Sequence, residues 1–373
     1  MAQLFSNVGN LTWQQAVMWL IGGILIYLAV KRDMEPALLL PMGFGAILVN
    51  LPLSGAVTQI VDGVEEIGVL NVLFDAGIAN ELFPLLLFVG IGAMIDFEPL
   101  LNDPKLMFFG AAAQFGIFFT FSLAALLGFP IKDAAAIGII GAADGPTAIF
   151  MANFLRSNYL GAIMVAAYSY MALVPIVQPP VIRALTTKHE RRIRMGYTGT
   201  NVSKRTKILF PIFVTILTGI VSPRAVALIG FLMFGNLLRE CGVLDALSET
   251  AQKVLANLIT LLLGITVASK MTADAFLNWQ TLMILGLGLV AFIFDTVGGV
   301  LFAKLLNLFC KNKINPMIGA AGISAFPMSA RVVHKMGLAE DNQNFLLMHA
   351  VGVNVSGQIA SVIAGGMILG FFG

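Results

Sequence analysis

Apolar residues run along this chain in stretches of about 20, the length of a bilayer-crossing helix, parted by short polar connections. The clean stretches are 13–30, 106–127, 159–181, 282–306 and 345–371, and shorter ones cover 36–53, 81–94, 208–221, 226–238 and 251–267. Residues 1–12 form a polar lead-in. Residues 54–80 mix Asp62, Glu65, Glu66 and Asp75 with apolar positions, as an interfacial or half-crossing helix would. Two further stretches, 134–154 and 315–333, are oily but interrupted by Gly, Pro and polar residues. The pattern predicts an all-α polytopic membrane protein with about eleven transmembrane helices, two of them broken.

The first interruption, Gly141-Ala142-Ala143-Asp144-Gly145-Pro146-Thr147, carries the chemistry. A carboxylate in the bilayer costs roughly 2.5–3.5 kcal/mol on insertion scales and is by default functional. Pro146 lacks an N–H, so in a continuous helix it would free the carbonyl of Ala142. That carbonyl, the Asp144 carboxylate and the Thr147 hydroxyl are hard oxygen donors of the kind a small cation takes in place of water. Broken helices in membranes line protein cavities, and transporters build ion sites there. The alternative is a packing kink around a protonated, buried Asp144.

The two halves of the chain echo each other. Leu87-Phe88-Val89-Gly90-Ile91-Gly92 resembles Leu261-Leu262-Leu263-Gly264-Ile265-Thr266, and Ile140-Gly141-Ala142-Ala143 recurs as Ile318-Gly319-Ala320-Ala321. Pro327 would free the carbonyl of Ile323, Ser324 falls near the place of Pro146, and Gly322 stands opposite Asp144, so the acid is present in one copy only. Interrupted segments at matching places in two halves point to an internal repeat, read as inverted, with a binding site at its interface. The organisation is therefore an N-terminal membrane half at 1–182, a loop at 183–207, and a C-terminal membrane half at 208–373.

Composition and charge sharpen this picture. The chain is 58% hydrophobic and 11% charged, far from the quarter or so of charged residues in soluble domains. Its net charge of +2 is unevenly spread: residues 183–207 hold eight Lys/Arg and one acid, Glu190, which predicts a cytoplasmic loop. Cys241 and Cys310 fit no metal or redox spacing, His189, His334 and His349 form no ligand pattern, and neither a nucleotide-binding Gly loop nor a hydrolase triad is present. No basic region precedes the first apolar run, which argues against a cleaved secretory signal.

Around the single acid the sequence offers neutral oxygens at Asn315, Ser324, Asn354, Ser356 and Ser361, with Gly319 and Gly357 allowing close backbone approach. This set suits Na⁺ and could equally hold a proton. Tyr170 has a phenolic O–H that both donates and accepts, as a proton relay requires. A second intramembrane acid, Asp295, could pair with Lys270 or Lys304.

At Gly141–Thr147, at Tyr170, at Asn315-Pro316-Met317-Ile318-Gly319 with Ser324, and at Asn354-Val355-Ser356-Gly357, the chain resembles the membrane beta subunit of the sodium-pumping biotin-dependent decarboxylases, over essentially its whole length. That resemblance implies decarboxylation of carboxybiotin, carried on a partner subunit, coupled to Na⁺ export with proton consumption. It assigns Asp144 as the Na⁺- and proton-linked acid and Tyr170 to the proton path. It assigns Asn315, Gly319 and Ser324 to a second polar ion cluster, and Asn354 to a place near the acid. It also implies a bacterial plasma membrane location and a homo-oligomer within a complex. The partners would be a biotin carrier protein, a carboxyltransferase alpha subunit and a small membrane-anchored gamma or delta subunit, with no nucleic acid. Arg191, Arg192 and Arg194 of the basic loop are candidates for docking the carrier. The chain is short for the oxaloacetate type, which leans toward the acyl-CoA types, methylmalonyl-CoA first and glutaconyl-CoA next. The rival reading is a Na⁺-coupled secondary transporter or Na⁺/H⁺ antiporter without chemistry.

Overall fold

The computed structural model describes residues 9–61, 63–196 and 202–372. Helices dominate it, and the described strands are one short hairpin, Gln59–Val61 paired with Val64–Glu66. Among the described residues six helices are long and apolar enough to cross a membrane: Trp13–Arg32, Pro104–Leu126, Leu160–Leu185, Asp245–Lys270, Trp279–Phe309 and Leu347–Phe372. Val69–Ala79 and Leu82–Met94, bent by 60°, add a seventh if counted together. The expected count of about eleven is higher because other apolar segments are short, as Pro36–Val49 is, carry charge at one end, as Lys204–Val221 does, or are broken.

The broken segments are hairpins. The first enters as the helix Ile131–Gly138, tightens into the 3₁₀ turn Ile139–Ala142, breaks, and leaves as the helix Gly145–Phe154. Its ends meet at Asp133, whose carboxylate accepts from Ser157 Oγ at 2.7 Å, Asn158 N at 2.9 Å and Asn158 Nδ2 at 3.1 Å. The second enters as the 3₁₀ turn Pro316–Gly322, crosses a short non-helical stretch, and leaves as the helix Met328–Glu340. Its ends meet at Arg191. That residue's carbonyl accepts from Asn315 Nδ2 at 3.0 Å, and its guanidinium pairs with Glu340 at 2.7 Å. Each segment therefore starts and finishes on one face of the molecule, where a continuous pattern of apolar residues predicts a crossing.

The two faces are opposite. The helix Leu160–Leu185 begins beside Asn158 and ends beside the basic loop. Its 26 residues span about 39 Å at 1.5 Å per residue. The hairpins enter from either side and touch at their tips, where Ser324 N donates to the carbonyl of Ala142 at 2.9 Å. Each is followed by a helix of 26 residues, Leu160–Leu185 and Leu347–Phe372. Residues 133–152 and 315–325 are buried throughout, so irregular backbone is enclosed in protein, as its polar groups require. The long helix Trp279–Phe309 lies along both hairpins. Its Ala291 and Asp295 border Gly141, and Gly299 meets Gly319 backbone to backbone.

Candidate functional site where the hairpin tips meet

Asp144 is positioned by its own backbone. Ala143 takes a left-handed conformation (φ 51°), which ends the 3₁₀ turn, and Asp144 is extended (φ −122°, ψ 95°) as the N-cap of Gly145–Phe154. Pro146 falls in the first turn of that new helix, where a missing N–H costs nothing. The buried carboxylate accepts from Thr147 N at 3.3 Å, Thr147 Oγ1 at 2.7 Å and, across the molecule, Ser361 Oγ at 3.3 Å. A helix N-terminus and hydroxyl groups are the surroundings in which a buried negative charge is best tolerated.

The carbonyls that sequence reasoning frees are taken. Ala142 O accepts from Ser324 N, and Ile323 O accepts from Asn354 Nδ2 at 2.7 Å. Asn354 Nδ2 also donates to Ala321 O at 3.1 Å, Gln178 Nε2 donates to Ala320 O at 2.6 Å, and Gln358 Nε2 donates to Ser324 O. Side-chain amides thus satisfy the exposed backbone of the second hairpin. Gln178 and Gln358 were missed in the sequence. The available signal was a glutamine inside an otherwise oily helix, and Gln358 lies four residues after Asn354 and three before Ser361, on one helical stripe.

Ser324 and Asn354 are therefore brought to the tips beside the Asp144 segment. Asn315 and Gly319 lie elsewhere, the first donating to the carbonyls of Arg191 and Ile193 at the basic-loop face, the second packed on Gly299. Tyr170 donates its hydroxyl to the carbonyl of Leu285, with its ring over Gly288. The tyrosine against the acid's own turn is Tyr168. Its ring covers Gly145, and its buried hydroxyl has no hydrogen-bond partner among the described residues. Asp295 is buried beside Gly116 and Gly141 and pairs with neither lysine: Lys304 meets Glu190 at 3.2 Å, and Lys270 sits 4.1 Å from the Phe74 ring centroid.

At the basic-loop face the arginines are largely engaged. Arg191 holds Glu340, Arg192 Nε donates to Glu340 O at 3.2 Å, and Arg194 holds Asp341 at 2.7 Å, which keeps the Asp341 carboxyl below its usual range. The loop's residues 197–201 lie outside the described residues. Next to these pairs a pocket of about 540 Å³ opens between the Glu35 turn, the end of Leu160–Leu185 and the helix Met328–Glu340. Arg183, Arg331 and Lys335 line it together with Pro175, Pro179 and Met336. Burial pushes the Glu35 carboxyl at its rim above its ordinary value, against the pull of Arg331.

Two buried hairpins meeting tip to tip around one capped acid, in an apolar helical chain, define an ion-translocating membrane protein. The chain belongs to the family of the Na⁺-transporting oxaloacetate decarboxylase beta subunit, whose family model matches residues 14–372. It is 49% identical to the methylmalonyl-CoA decarboxylase subunit beta of Propionigenium modestum over 98% of this chain and 96% of that one. Identity to the glutaconyl-CoA decarboxylase subunit beta of Acidaminococcus fermentans is 49% (97% and 94% covered), and to the oxaloacetate decarboxylase beta chain of Klebsiella pneumoniae 46% (95% and 94%). It is a sodium-translocating decarboxylase subunit in the membrane.

Proposed function

We propose that Na⁺ and a proton exchange at Asp144, and that this exchange is tied to decarboxylation of carboxybiotin presented by a biotin carrier subunit at the basic-loop face, which is the cytoplasmic face of a bacterial plasma membrane. The observation that carries the reading is the capped, buried acid at the meeting point of hairpins from opposite faces. Thr147 and Ser361 donate to its carboxylate and, by rotating their hydroxyls, present lone pairs to a cation. Arg183, Arg331 and Lys335 outnumber the acids Asp33 and Glu35 in the pocket lining and give it cations to hold a carboxylate, and its proline and methionine side chains give it an apolar wall. Carboxybiotin held there supplies an N-carboxylate that is lost as CO₂, leaving a nitrogen that takes up one proton. A proton displaced from Asp144 leaves by way of Tyr168, whose ring covers Gly145, toward the pocket that Pro175 lines. From Tyr168 to Pro175 is about 10.5 Å along the helix, and Tyr170, on the opposite face of that helix against Leu285 and Gly288, holds the path's other wall. Moving one charge against 100 mV costs about 2.3 kcal/mol, so the exchange at Asp144 must be obligatory for the pump to hold a gradient.

The matching pairs of hairpin and 26-residue helix support an inverted repeat. Alignment with the Klebsiella chain runs over 409 positions, against 385 for Propionigenium and 362 for Acidaminococcus. The longest insertions relative to this chain are thus in the oxaloacetate type, and on that length alone the reading leans to an acyl-CoA substrate, methylmalonyl-CoA or glutaconyl-CoA, handled by a separate carboxyltransferase subunit. A small membrane-anchored subunit and further copies of this chain complete the complex.

The test is Asp144→Asn in the purified complex. It should retain the fold and lose Na⁺-dependent decarboxylation by about a thousandfold or more, as expected when a group acting in the chemistry is removed. Na⁺-stimulated turnover in that variant would overturn the assignment, and Na⁺ flux in vesicles without any decarboxylation would favour the transporter reading instead.

A further inference from the structure

Three buried amides face the second hairpin, and all three are oriented the same way. A backbone carbonyl only accepts, so a side-chain amide beside one must present its NH₂ group. Gln178 does this to Ala320 O, Asn354 to Ala321 O and Ile323 O, and Gln358 to Ser324 O. The orientation of each amide is thereby fixed, and its carbonyl oxygen is turned away from the hairpin backbone. Gln178 Oε1, Asn354 Oδ1 and Gln358 Oε1 are all buried and have no hydrogen-bond partner among the described residues. Buried polar atoms are normally satisfied, so an oriented row of oxygens without donors calls for an electron-poor partner.

Of the three, Gln358 is nearest the acid by two independent links. Along the helix Leu347–Phe372, Ser361 is three residues further on, on the same face, and its single hydroxyl proton lies between two acceptors, Asp144 Oδ2 at 3.3 Å and the main-chain carbonyl of Gln358 at 3.0 Å. Across the tips, the Gln358 amide is held on Ser324, whose N–H is bonded to Ala142, two residues before Asp144. The same helical stripe runs in order past both tips. Asn354 and Gln358 lie on the second hairpin, Ser361 on Asp144, and Gly365 against Thr147 and Met151. The Gln358 side chain is therefore held on Ser324 at the second tip, one helical turn before the Ser361 that reaches Asp144.

We propose that Gln358 is a cation ligand, its amide oxygen completing the coordination shell of the ion held at Asp144, with the amide nitrogen serving as the clamp that aims it. This rests on the reading that a cation binds at Asp144. A neutral, rigidly held carbonyl oxygen contributes ligand field without charge, so it adjusts ion affinity and size selection while leaving the charge balance of the Na⁺/H⁺ exchange untouched.

Thermal unfolding of the purified full chain in detergent, titrated with NaCl or KCl against choline chloride, tests this, because an ion that binds the folded state raises its Tm. Wild type should show a saturable rise with NaCl. Gln358→Met, of similar volume, should raise the half-saturating Na⁺ concentration by about tenfold or more and narrow the preference for Na⁺ over K⁺. Gln358→Glu keeps an oxygen but loses the clamp and adds a negative charge beside Asp144, so it should still show a saturable Na⁺ response, with half-saturation closer to wild type than that of Gln358→Met. An unchanged half-saturation in Gln358→Met, whatever its Tm in choline, would reduce Gln358 to a clamp and overturn the proposal. If Gln358→Met does not fold, loss of the Na⁺ response in Gln358→Glu overturns it equally. Absence of any Na⁺-dependent rise in wild type would instead sink the reading of Asp144 itself.

Discussion

The two hairpins share a plan and differ in what they bring to it. The first is built from two α-helical arms and ends in a carboxylate that caps its own outgoing helix. The second enters through a 3₁₀ turn, has Gly322 where the first has Asp144, and cannot satisfy its own tip. Amides from two other helices do that for it. One tip supplies charge and the other supplies a frame, and the frame is anchored in both halves of the chain through Gln178 and Asn354. An ion site at such a junction depends on the relative position of two independently supported elements, which is what a pump needs if binding is to be coupled to movement.

The strongest way to break this comparison is to exchange the roles. Gly322 has no room for a side chain, since an added Cβ would lie 2.7 Å from Ala113 Cβ and 2.9 Å from Phe109 O. Asp144→Gly combined with Gly322→Asp should therefore give no Na⁺-dependent decarboxylation and little folded protein. Activity recovered in that double variant, assayed in the purified complex, would mean that the tips are interchangeable.

Next in size is the seat of the second hairpin. A methyl group on Gly319 would overlap the carbonyl of Gly299, and overpacking of this kind costs about 1–3 kcal/mol or more. Gly319→Val should fail to yield folded protein on size exclusion, while Gly286→Ala, which meets nothing within 4 Å, should behave as wild type. A folded, active Gly319→Val would show that the hairpin is not seated by that contact.

The ties at the hairpin ends should matter less. Asp133→Ala leaves the Ser157 hydroxyl and the Asn158 N–H without their acceptor, at about 1–3 kcal/mol for each group left unsatisfied. Glu340→Gln keeps an oxygen for Arg191, which also donates to Thr186 O, and turns a largely buried ion pair into a hydrogen bond to a neutral amide, a loss of about 1 kcal/mol. Denaturation midpoints in detergent should rank them in that order, and the reverse ranking would show that the basic-loop face is the more rigid.

The smallest effect concerns Arg194 and Asp341. Asp341 has a lowered pKa because Arg194 donates to it. The tie is therefore fully present above the ordinary carboxylate value, unchanged between pH 5 and 8, and lost as pH falls through the lowered value. Hydrogen exchange of residues 188–196, corrected for intrinsic rates, should rise only below about pH 4, and Asp341→Asn should remove that dependence. A transition near neutral pH would place the control elsewhere.

The break itself was legible, because Asp-Gly-Pro inside an oily run does not fit a continuous membrane helix, and so was the family. That the broken segments turn back to their own faces was not. The turn-back rests on Asp133 meeting Asn158 and on Arg191 meeting Glu340, contacts between residues far apart in sequence whose side chains look like ordinary loop polarity. Periodicity also could not choose between Tyr168 and Tyr170. Two residues along a helix turn a side chain by about 200°, so one of the pair must face the acid's turn and the other the long helix, and only the packing says which. The amides escaped notice for a related reason: a Gln has no charge to flag it, and its role depends on the carbonyls it meets.

The hydrogen bond from Ser324 to Ala142 joins residues on either side of the chain's midpoint with nothing but main-chain atoms. Apart from Ser324→Pro, which removes the N–H itself, no side-chain replacement deletes it, and a substitution that shifts one tip must drag or strand the other. Selection for revertants of a damaged first tip should therefore return second changes in the C-terminal half, around residues 320–324 or along the stripe from Asn354 to Ser361. The heredity of this site is thus shared between two stretches of gene that must vary together.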